Sequence, residues 1–262
     1  MSAPLLQVRD LTIRFGGLVA VSEVGFDLGH DEVMCIIGPN GAGKSTLFNM
    51  ISGIYRPTAG TIALEGRDIT GMPAHRVAVA GIARTFQSSR LFGALTVLDN
   101  VVIGMHARTR SGVLDALLRP RRARAELREA ADRAADLLRS LSEDLWARRH
   151  EQAAALPQAD RRRLEIARAL ASEPRLIMLD EPSSGMDDRD TDALISDIRA
   201  VMAGRPGLSF LIIEHDMRLV GAFPERVMVI DHGQKLIEDD FAAVRVAPRV
   251  QEAYLGYKAV HA

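Results

Sequence analysis

The segment Gly38-Pro39-Asn40-Gly41-Ala42-Gly43-Lys44-Ser45-Thr46 decides the fold of this chain. Apolar residues fill 33–37 before it and most of 47–51 after it, which predicts a strand, a glycine-rich loop and a helix. In such a loop, backbone N–H groups surround phosphate oxygens, and the helix directs its positive end at the same anion. We therefore predict a nucleoside triphosphate site in which Lys44 reaches the outer phosphates and Ser45 holds magnesium. The expected contact residues are Gly38, Asn40, Gly41, Ala42, Gly43, Lys44, Ser45 and Thr46.

The composition is that of an ordinary soluble protein without an excess of either charge. Lys and Arg total 33 against 34 Asp and Glu, so the net charge is -1. This balance removes the general electrostatic reason to expect a nucleic-acid partner. We expect a cytoplasmic chain that reaches a membrane only through a partner, because no apolar run approaches about 20 residues and the N-terminus lacks a signal-peptide pattern. We expect Cys35, the single cysteine, to be a small buried side chain.

The pattern of apolar runs changes twice along the chain. Strands and glycine-rich turns dominate at first, a block with helical spacing occupies about 96–155, and strands alternate with helices after it. Such alternation predicts a parallel sheet with helices on both faces. The expected elements include a helix from Lys44 to Gly53, helices at about 161–171 and 188–203, strands at 176–180 and 208–213, a hairpin around Gly233 and a short helix within 241–255.

Two adjacent carboxylates, Asp180 and Glu181, follow the apolar run 176–179. A buried strand needs no such pair for folding, although the pair alone could cap a helix or lie in a solvated loop. Beside a phosphate-binding loop, Asp180 fits a magnesium ligand, directly or through water. Glu181 fits a general base that orients the attacking water. The pair therefore favours hydrolysis of the nucleotide over binding alone.

Three further features make the chain resemble the ATP-binding cassette (ABC) ATPases. Gln87 and His215 each follow a predicted strand, and the segment 183–187 follows the two carboxylates. The resemblance implies that Gln87 contacts magnesium and the attacking water, and that His215 contacts the terminal phosphate. It also implies a loop that crosses a dimer interface, with Ser184, Gly185 and Asp187 as its residues. The order and spacing of these motifs extend the resemblance over nearly the whole chain.

The resemblance implies an α/β fold of the phosphate-loop NTPase type. Its parts are a mainly parallel sheet flanked by helices, an antiparallel β subdomain and an inserted helical subdomain. We expect a single ABC ATPase domain over 1–257, with the helical insertion at about 96–155, and ATP and Mg²⁺ as ligands. Phe15 matches the aromatic residue that stacks on adenine in the family, although a core aromatic residue would look the same in sequence.

Within the family, the chain is most similar to the ATPase subunits of branched-chain amino-acid importers. The matching segments are 84–87, Leu91-Phe92, 95–97, Asn100-Val101, 163–170, the long helical insertion and the ending Ala253-Tyr254-Leu255-Gly256. This resemblance implies a peripheral protein at the cytoplasmic face of the cell membrane that energises import of branched-chain or related amino acids. The implied partners are two transmembrane permease subunits, a second ATPase subunit and, indirectly, a periplasmic or extracellular substrate-binding protein.

Other functions remain open at this point. A subunit serving another small carboxylate or amide substrate would carry the same motifs. A soluble ABC ATPase acting on nucleic acid or ribosomes usually has two cassettes or long coiled coils, and this chain has neither. A small-molecule kinase or GTPase would leave His215 unexplained, and no Asn-Lys-x-Asp guanine motif is present. A regulatory subunit that only binds nucleotide would not need Glu181.

The signature loop of the family, usually Leu-Ser-Gly-Gly-Gln, reads here Leu156-Pro157-Gln158-Ala159-Asp160. In the family, this loop binds the terminal phosphate held by the other subunit. Pro157 has neither a hydroxyl nor an N–H, and Ala159 adds a methyl group at a point of close approach. Asp160 would cost on the order of 3 kcal/mol at about 5 Å from phosphate, unless it caps a helix beginning near residue 161. We therefore expect a heterodimer rather than a homodimer.

Overall fold

The computed structural model of the chain describes residues 3–86, 90–105, 120–223 and 226–260, with the backbone alone at 120–123 and 255–260. Within these ranges the strands are β1 (Leu6–Phe15), β2 (Leu18–Leu28), β3 (Val33–Ile37), β4 (Ala59–Leu64), β5 (Arg67–Asp68), β6 (Ile82–Arg84), β7 (Leu176–Asp180), β8 (Ser209–Ile213), β9 (Val227–Asp231) and β10 (Gln234–Asp239). The helices are α1 (Lys44–Ile51), α2 (Ala74–Ala80), α3 (Val97–Gly104), α4 (Pro120–Leu141), α5 (Glu143–Ala147), α6 (Gln158–Leu170), α7 (Asp188–Gly204), α8 (Met217–Ala222), α9 (Phe241–Val246) and α10 (Pro248–Val260).

A six-stranded sheet in the order β10-β9-β3-β8-β7-β6 forms the centre of the molecule. The strands from β9 to β6 run parallel, whereas β10 pairs antiparallel with β9. A second, four-stranded antiparallel sheet has the order β2-β1-β4-β5. The predicted parallel sheet and antiparallel β subdomain are therefore confirmed.

Alternate side chains of the central strands enter two different cores. On β3, Cys35 packs into one core, whereas Met34 and Ile36 pack into the other. On β8, Phe210 and Leu211 divide between the two cores in the same way. Every side chain of β3, β7 and β8 is buried, so both faces of the sheet are covered. Double burial explains why these strands read as nearly continuous apolar runs rather than as alternating patterns.

The span 96–155 that we expected to be helical contains α3, α4 and α5. At the start of α3, the Thr96 hydroxyl accepts a hydrogen bond from the Asp99 N–H (3.1 Å), and the Thr96 N–H donates to the Asp99 carboxylate (3.3 Å). This reciprocal cap satisfies two N–H groups that the helix itself leaves unpaired. Ala134 and Leu138 of α4 pack into the core on one face of the parallel sheet. In the described part of the chain, no helix is long and apolar enough to span a membrane.

Two helix predictions were wrong at their boundaries. The helix α6 begins at Gln158, before the expected start near residue 161, because Pro157 takes the N-cap position and its carbonyl accepts from the Arg161 N–H (2.9 Å). The stretch 241–255 holds parts of two helices rather than one, since α9 ends before Ala247 and α10 begins at Pro248. Proline lacks an N–H and therefore suits the first position of a new helix.

We expect the Cys35 thiol to be unreactive toward thiol reagents in the folded protein. The side chain is fully buried in β3. Burial, with a smaller effect of the Glu214 charge, raises the pKa of the thiol to about 12. Because the thiolate is the reactive form, only about one thiol in ten thousand is ionised near pH 8. An aromatic disulfide reagent should label the chain only after denaturant is added. Labelling of the native protein at the denatured rate would contradict this placement.

Candidate active site

The phosphate-binding loop joins the buried strand β3 to α1. Gly43 occupies the N-cap position of α1 with a left-handed φ of 103°. A Cβ atom at Gly43 would lie 2.7 Å from the carbonyl oxygen of Ala20, and one at Gly38 would lie 2.0 Å from that of Ile230. No side chain in the described ranges caps α1. The first N–H groups of this helix are therefore available to bind an anion.

The loop opens into a cleft of about 500 Å³. Glu181 lines this cleft, whereas Gly38 is buried and is not one of the residues that line it. The other predicted nucleotide-binding residues all line it: Phe15, Asn40, Gly41, Ala42, Gly43, Lys44, Ser45 and Thr46. The structure thus gathers residues from three distant parts of the sequence, Phe15, 40–46 and Glu181, around one opening.

Phe15 is not a core residue. Its side chain is 45% exposed, and its ring meets that of Tyr55 edge-on with centroids 5.4 Å apart. The turn between β9 and β10 also lines the cleft, through His232 and Gly233. The Gly233 N–H donates to the carbonyl oxygen of Ala42 (2.9 Å), which holds this turn against the phosphate-binding loop. Sequence analysis missed His232, because its only signal was its place in a predicted hairpin turn.

Lys44 is 7% exposed and binds its own loop. Its Nζ atom donates hydrogen bonds to the carbonyl oxygens of Gly38 (2.6 Å) and Pro39 (2.9 Å). Burial lowers the pKa of Lys44, and the charges of Glu181 and Asp180 oppose this shift. Carbonyl groups of the loop therefore hold the ammonium group, and both predicted carboxylates favour its charged form.

Asp180 forms a buried ion pair with Arg84, in which Nη2 lies 2.8 Å from Oδ2. The Arg84 guanidinium also donates to Asn49 Oδ1 (2.7 Å) and to Ser52 Oγ (2.9 Å), at the end of α1. One arginine thus fixes the carboxylate of β7 relative to the helix that follows the phosphate-binding loop. We did not predict this contact, although Arg84 lies on β6, the strand that pairs with β7.

Glu181 has a left-handed backbone conformation, with a φ of 46°. This conformation is unfavourable for a residue with a side chain and persists where surrounding contacts hold it. The Glu181 N–H donates to the carbonyl oxygen of Ile213 (2.9 Å), and its own carbonyl accepts from Arg162 Nη2 (3.1 Å). Contacts from β8 and α6 therefore fix the peptide groups on both sides of this carboxylate.

Arg162 is a buried residue of α6 that sequence analysis missed. Its guanidinium donates to the carbonyl oxygens of Pro182 (3.0 Å) and Phe86 (3.1 Å) as well as to that of Glu181. It also pairs with Glu165 (2.7 Å), which balances its charge. Arg162 therefore fixes the backbone just before Gln87, a predicted site residue that itself lies outside the described residues.

The predicted dimer loop contacts the predicted signature loop within the same chain. Gln158 Nε2 donates to the carbonyl oxygen of Ser184 (2.8 Å), and a Cβ atom at Gly185 would meet the same amide. Asp187 caps α7, since its carboxylate accepts from the Asp190 N–H (2.8 Å). His215 follows β8 with its side chain 60% exposed.

Within the signature loop, Leu156 is buried in the core, whereas Pro157 and Gln158 are exposed and Ala159 is half-buried. The Asp160 carboxylate is buried and lies 3.3 Å from Arg163 Nη1 and 3.5 Å from Arg148 Nη1. The alternative in which Asp160 caps the helix is wrong, because Pro157 occupies the N-cap position. The positive charges of the two arginines offset the negative charge of Asp160. They therefore reduce the repulsion that we expected between Asp160 and a bound phosphate.

Comparisons with known proteins agree with this architecture. Residues 21–184 match the family model described as ABC transporter. The chain is 41% identical over 259 residues to the high-affinity branched-chain amino acid transport ATP-binding protein LivG of Salmonella typhimurium, with 98% of this chain and 99% of that protein covered. It is 40% identical to BraF of Pseudomonas aeruginosa, a protein of the same description, with the same coverage.

A solved structure agrees with these relatives. It is the ADP conformation of MJ1267, an ATP-binding cassette of an ABC transporter, and it matches with a TM-score of 0.83 at 28% identity. The match covers 97% of this chain and 100% of that one. The chain therefore belongs to the ABC transporter family, as one of its ATP-binding cassettes, and is an ATPase.

Proposed function

We propose that the chain is the ATP-hydrolysing subunit of a membrane importer for branched-chain or related amino acids. The observation that carries the proposal is the similarity to LivG and BraF, which extends over nearly the full length of both chains. A match limited to the nucleotide-binding segments would support ATP binding alone. In this proposal the chain is one ABC ATPase domain over 1–257, with a helical insertion at about 96–155.

The residues around the cleft would bind ATP at both of its ends. Phe15, exposed at the cleft, would stack on the adenine ring. The N–H groups at the start of α1 and the ammonium group of Lys44 would bind the phosphates. Because Lys44 is buried, its charge acts in a region of reduced dielectric, where it attracts phosphate more strongly than it would in water.

Magnesium would be held by Ser45, Gln87 and Asp180. Mg²⁺ prefers oxygen ligands and is usually bound by one or two carboxylates together with substrate phosphates and water. Ser45 and Asp180 supply such oxygens, and no group of three or more His, Cys, Asp or Glu side chains within the described ranges would bind a metal ion without the nucleotide. These donors fit an ion that arrives with ATP. When bound, it would neutralise charge on the leaving phosphates.

Hydrolysis requires a base and groups that orient the attacking water. Glu181 lines the cleft and has a fixed backbone, so its carboxylate would accept a proton from the water. The water oxygen would form a bond to the terminal phosphorus while the bond from phosphorus to the bridging oxygen breaks and ADP leaves. His215 would contact the terminal phosphate, and Gln87 would orient the water.

The second ATPase subunit would be a different chain rather than a copy of this one. Pro157 and Ala159 remain poorly suited to bind a phosphate across a dimer, because one lacks an N–H and the other carries a methyl group. A partner with an ordinary signature loop would complete the site formed by this chain. Ser184, Gly185 and Asp187 would lie at the interface of that heterodimer.

Two transmembrane permease subunits would bring the chain to the cytoplasmic face of the membrane. A periplasmic or extracellular binding protein would deliver the substrate to them from the other side. Phe92 and Leu95, between β6 and α3, are 49% and 38% exposed and offer apolar contacts for a permease. The net charge of -1 gives no reason to propose a nucleic-acid partner.

Co-purification tests this assembly. A tagged copy of the chain would be extracted from native membranes in mild detergent, and its companions identified by mass spectrometry. The proposal predicts two multi-spanning proteins and a second ATPase that differs from this chain. Recovery from the soluble fraction alone, with no membrane companion, would contradict the proposed importer. Recovery with permeases but without a second ATPase would contradict the heterodimer.

We expect Glu181→Gln to remove ATP turnover while ATP binding is retained. The amide has the size of the original side chain but cannot accept a proton, so kcat should fall by at least about a hundredfold. Phosphate release measures turnover in the purified complex, and calorimetric titration measures binding. Glu252→Gln, which changes an exposed carboxylate of α10, serves as the matched control. Turnover by Glu181→Gln at the parental rate would exclude Glu181 as the base.

We expect the two changes that restore the signature loop to act differently. Ala159→Gly removes a methyl group from the partner's phosphate site and should raise turnover of the complex severalfold. Asp160→Gln removes the carboxylate that pairs with Arg148, whereas Arg163 keeps Asp197 (2.7 Å), so the free energy of unfolding should fall by about 1 kcal/mol or less. Turnover assays and urea denaturation measure the two effects. Unchanged turnover in Ala159→Gly would mean that this loop does not limit hydrolysis.

A further inference from the structure

Glu214 is a fully buried carboxylate that directly follows β8. Within the described ranges, no lysine or arginine forms an ion pair with it. The Nδ1 atom of the His215 ring lies 3.7 Å from Glu214 Oε2, beyond hydrogen-bond distance. Burying a carboxylate without partners that stabilise its charge costs free energy of folding. An apolar side chain would normally fill a core position such as this one. The presence of Glu214 therefore needs an explanation in terms of its contacts.

The two oxygen atoms of Glu214 bind two different loops. Oε1 accepts hydrogen bonds from the N–H (2.8 Å) and the hydroxyl (2.5 Å) of Ser183. Oε2 accepts from the N–H groups of His215 (2.8 Å) and Asp216 (3.1 Å). Each loop thus donates two hydrogen bonds to a different oxygen of Glu214, and this one side chain accepts from all four donors.

Both loops belong to the proposed hydrolysis machinery. Ser183 is the residue just before the dimer loop, which begins at Ser184 and ends at the helix cap Asp187. His215 is the residue proposed to contact the terminal phosphate. Since the loops follow neighbouring parallel strands, β7 and β8, a side chain between them can hold both at once.

We propose that Glu214 is a positioning residue that holds His215 and the dimer loop in one arrangement, so that the two segments move together. The inference rests on the proposed function of those segments. Among the described residues, no hydrogen bond joins Glu214 to the phosphate-binding loop, so its contribution concerns the hydrolytic step and the partner subunit rather than ATP binding.

Hydrogen–deuterium exchange of the purified full-length chain tests the coupling directly. In Glu214→Gln, the side-chain amide keeps one acceptor oxygen but presents an NH₂ group to the donors of the other loop. We expect exchange to accelerate by at least about fivefold at the amides of both loops, 183–187 and 215–216, since a lost hydrogen bond raises the opening frequency. Acceleration in one loop only, or in neither, would overturn the proposal.

Ser183→Ala is a second, milder variant for the case that Glu214→Gln fails to fold. It removes a single hydrogen bond, that from the hydroxyl to Oε1. If Glu214 couples the loops, exchange should also accelerate at His215 and Asp216, which Ser183 does not contact through any described hydrogen bond. The matched control is Glu32→Gln, which should alter neither loop. It changes a carboxylate that pairs with Arg226 (2.8 Å) and lies just before β3, at the end of the sheet away from both loops.

Kinetics of the purified complex separate positioning from a general structural role. Glu214→Gln should lower kcat about tenfold and leave the Kd for ATP within about twofold. In a His215→Ala background the same change should lower kcat by clearly less than tenfold, because placement of the His215 side chain no longer contributes and only the effect on the dimer loop remains. A full tenfold loss in that background would overturn the proposal, as would parallel losses of kcat and ATP binding.

The two readouts also separate this inference from the proposed function. Exchange requires no turnover, so the coupling can be measured even in a chain that energises no importer. Absence of coupling in a complex that hydrolyses ATP and transports substrate would overturn the inference alone.

Discussion

The structure depends on the complete burial of three parallel strands, β3, β7 and β8. Because both faces of the sheet are covered, the middle of each strand must be apolar, and charged groups can lie only where the strands end. Parallel strands bring their carboxyl ends to the same edge. Lys44 follows β3 and His215 follows β8. Asp180 is the last residue of β7, and Glu181 comes directly after it. All four residues therefore lie at this one edge of the sheet.

Side chains that bind backbone groups keep this edge in place. Arg162 of α6 holds the left-handed backbone at Glu181, because its guanidinium donates to the carbonyl oxygens of Phe86, Glu181 and Pro182. Arg84 ties Asp180 to the end of α1. The helix α6, which begins within the predicted signature loop, is thus connected to the proposed catalytic residues of the same chain, and a shift of α6 must change or break those contacts.

Sequence patterns predicted the parts of the site that are local in the chain. The strand, loop and helix around Lys44 and the carboxylates at 180–181 depend on neighbouring residues, whose spacing alone determines the local structure. The roles of Arg162 and Glu214 depend on contacts that only the tertiary fold brings together: Arg162 reaches Phe86, 76 residues away, and Glu214 reaches Ser183, 31 residues away. The predicted start of α6 failed because Pro157 can end a loop or begin a helix, and only packing decides between them.

The most direct test of the account is transport by the purified complex reconstituted into proteoliposomes, with ATP on the side of this chain and the binding protein on the other. We predict uptake of radiolabelled leucine that requires ATP, is lost in the complex with Glu181→Gln, and is competed by isoleucine and valine. ATP hydrolysis without uptake of any branched-chain amino acid would contradict the proposed importer while leaving the ATPase intact.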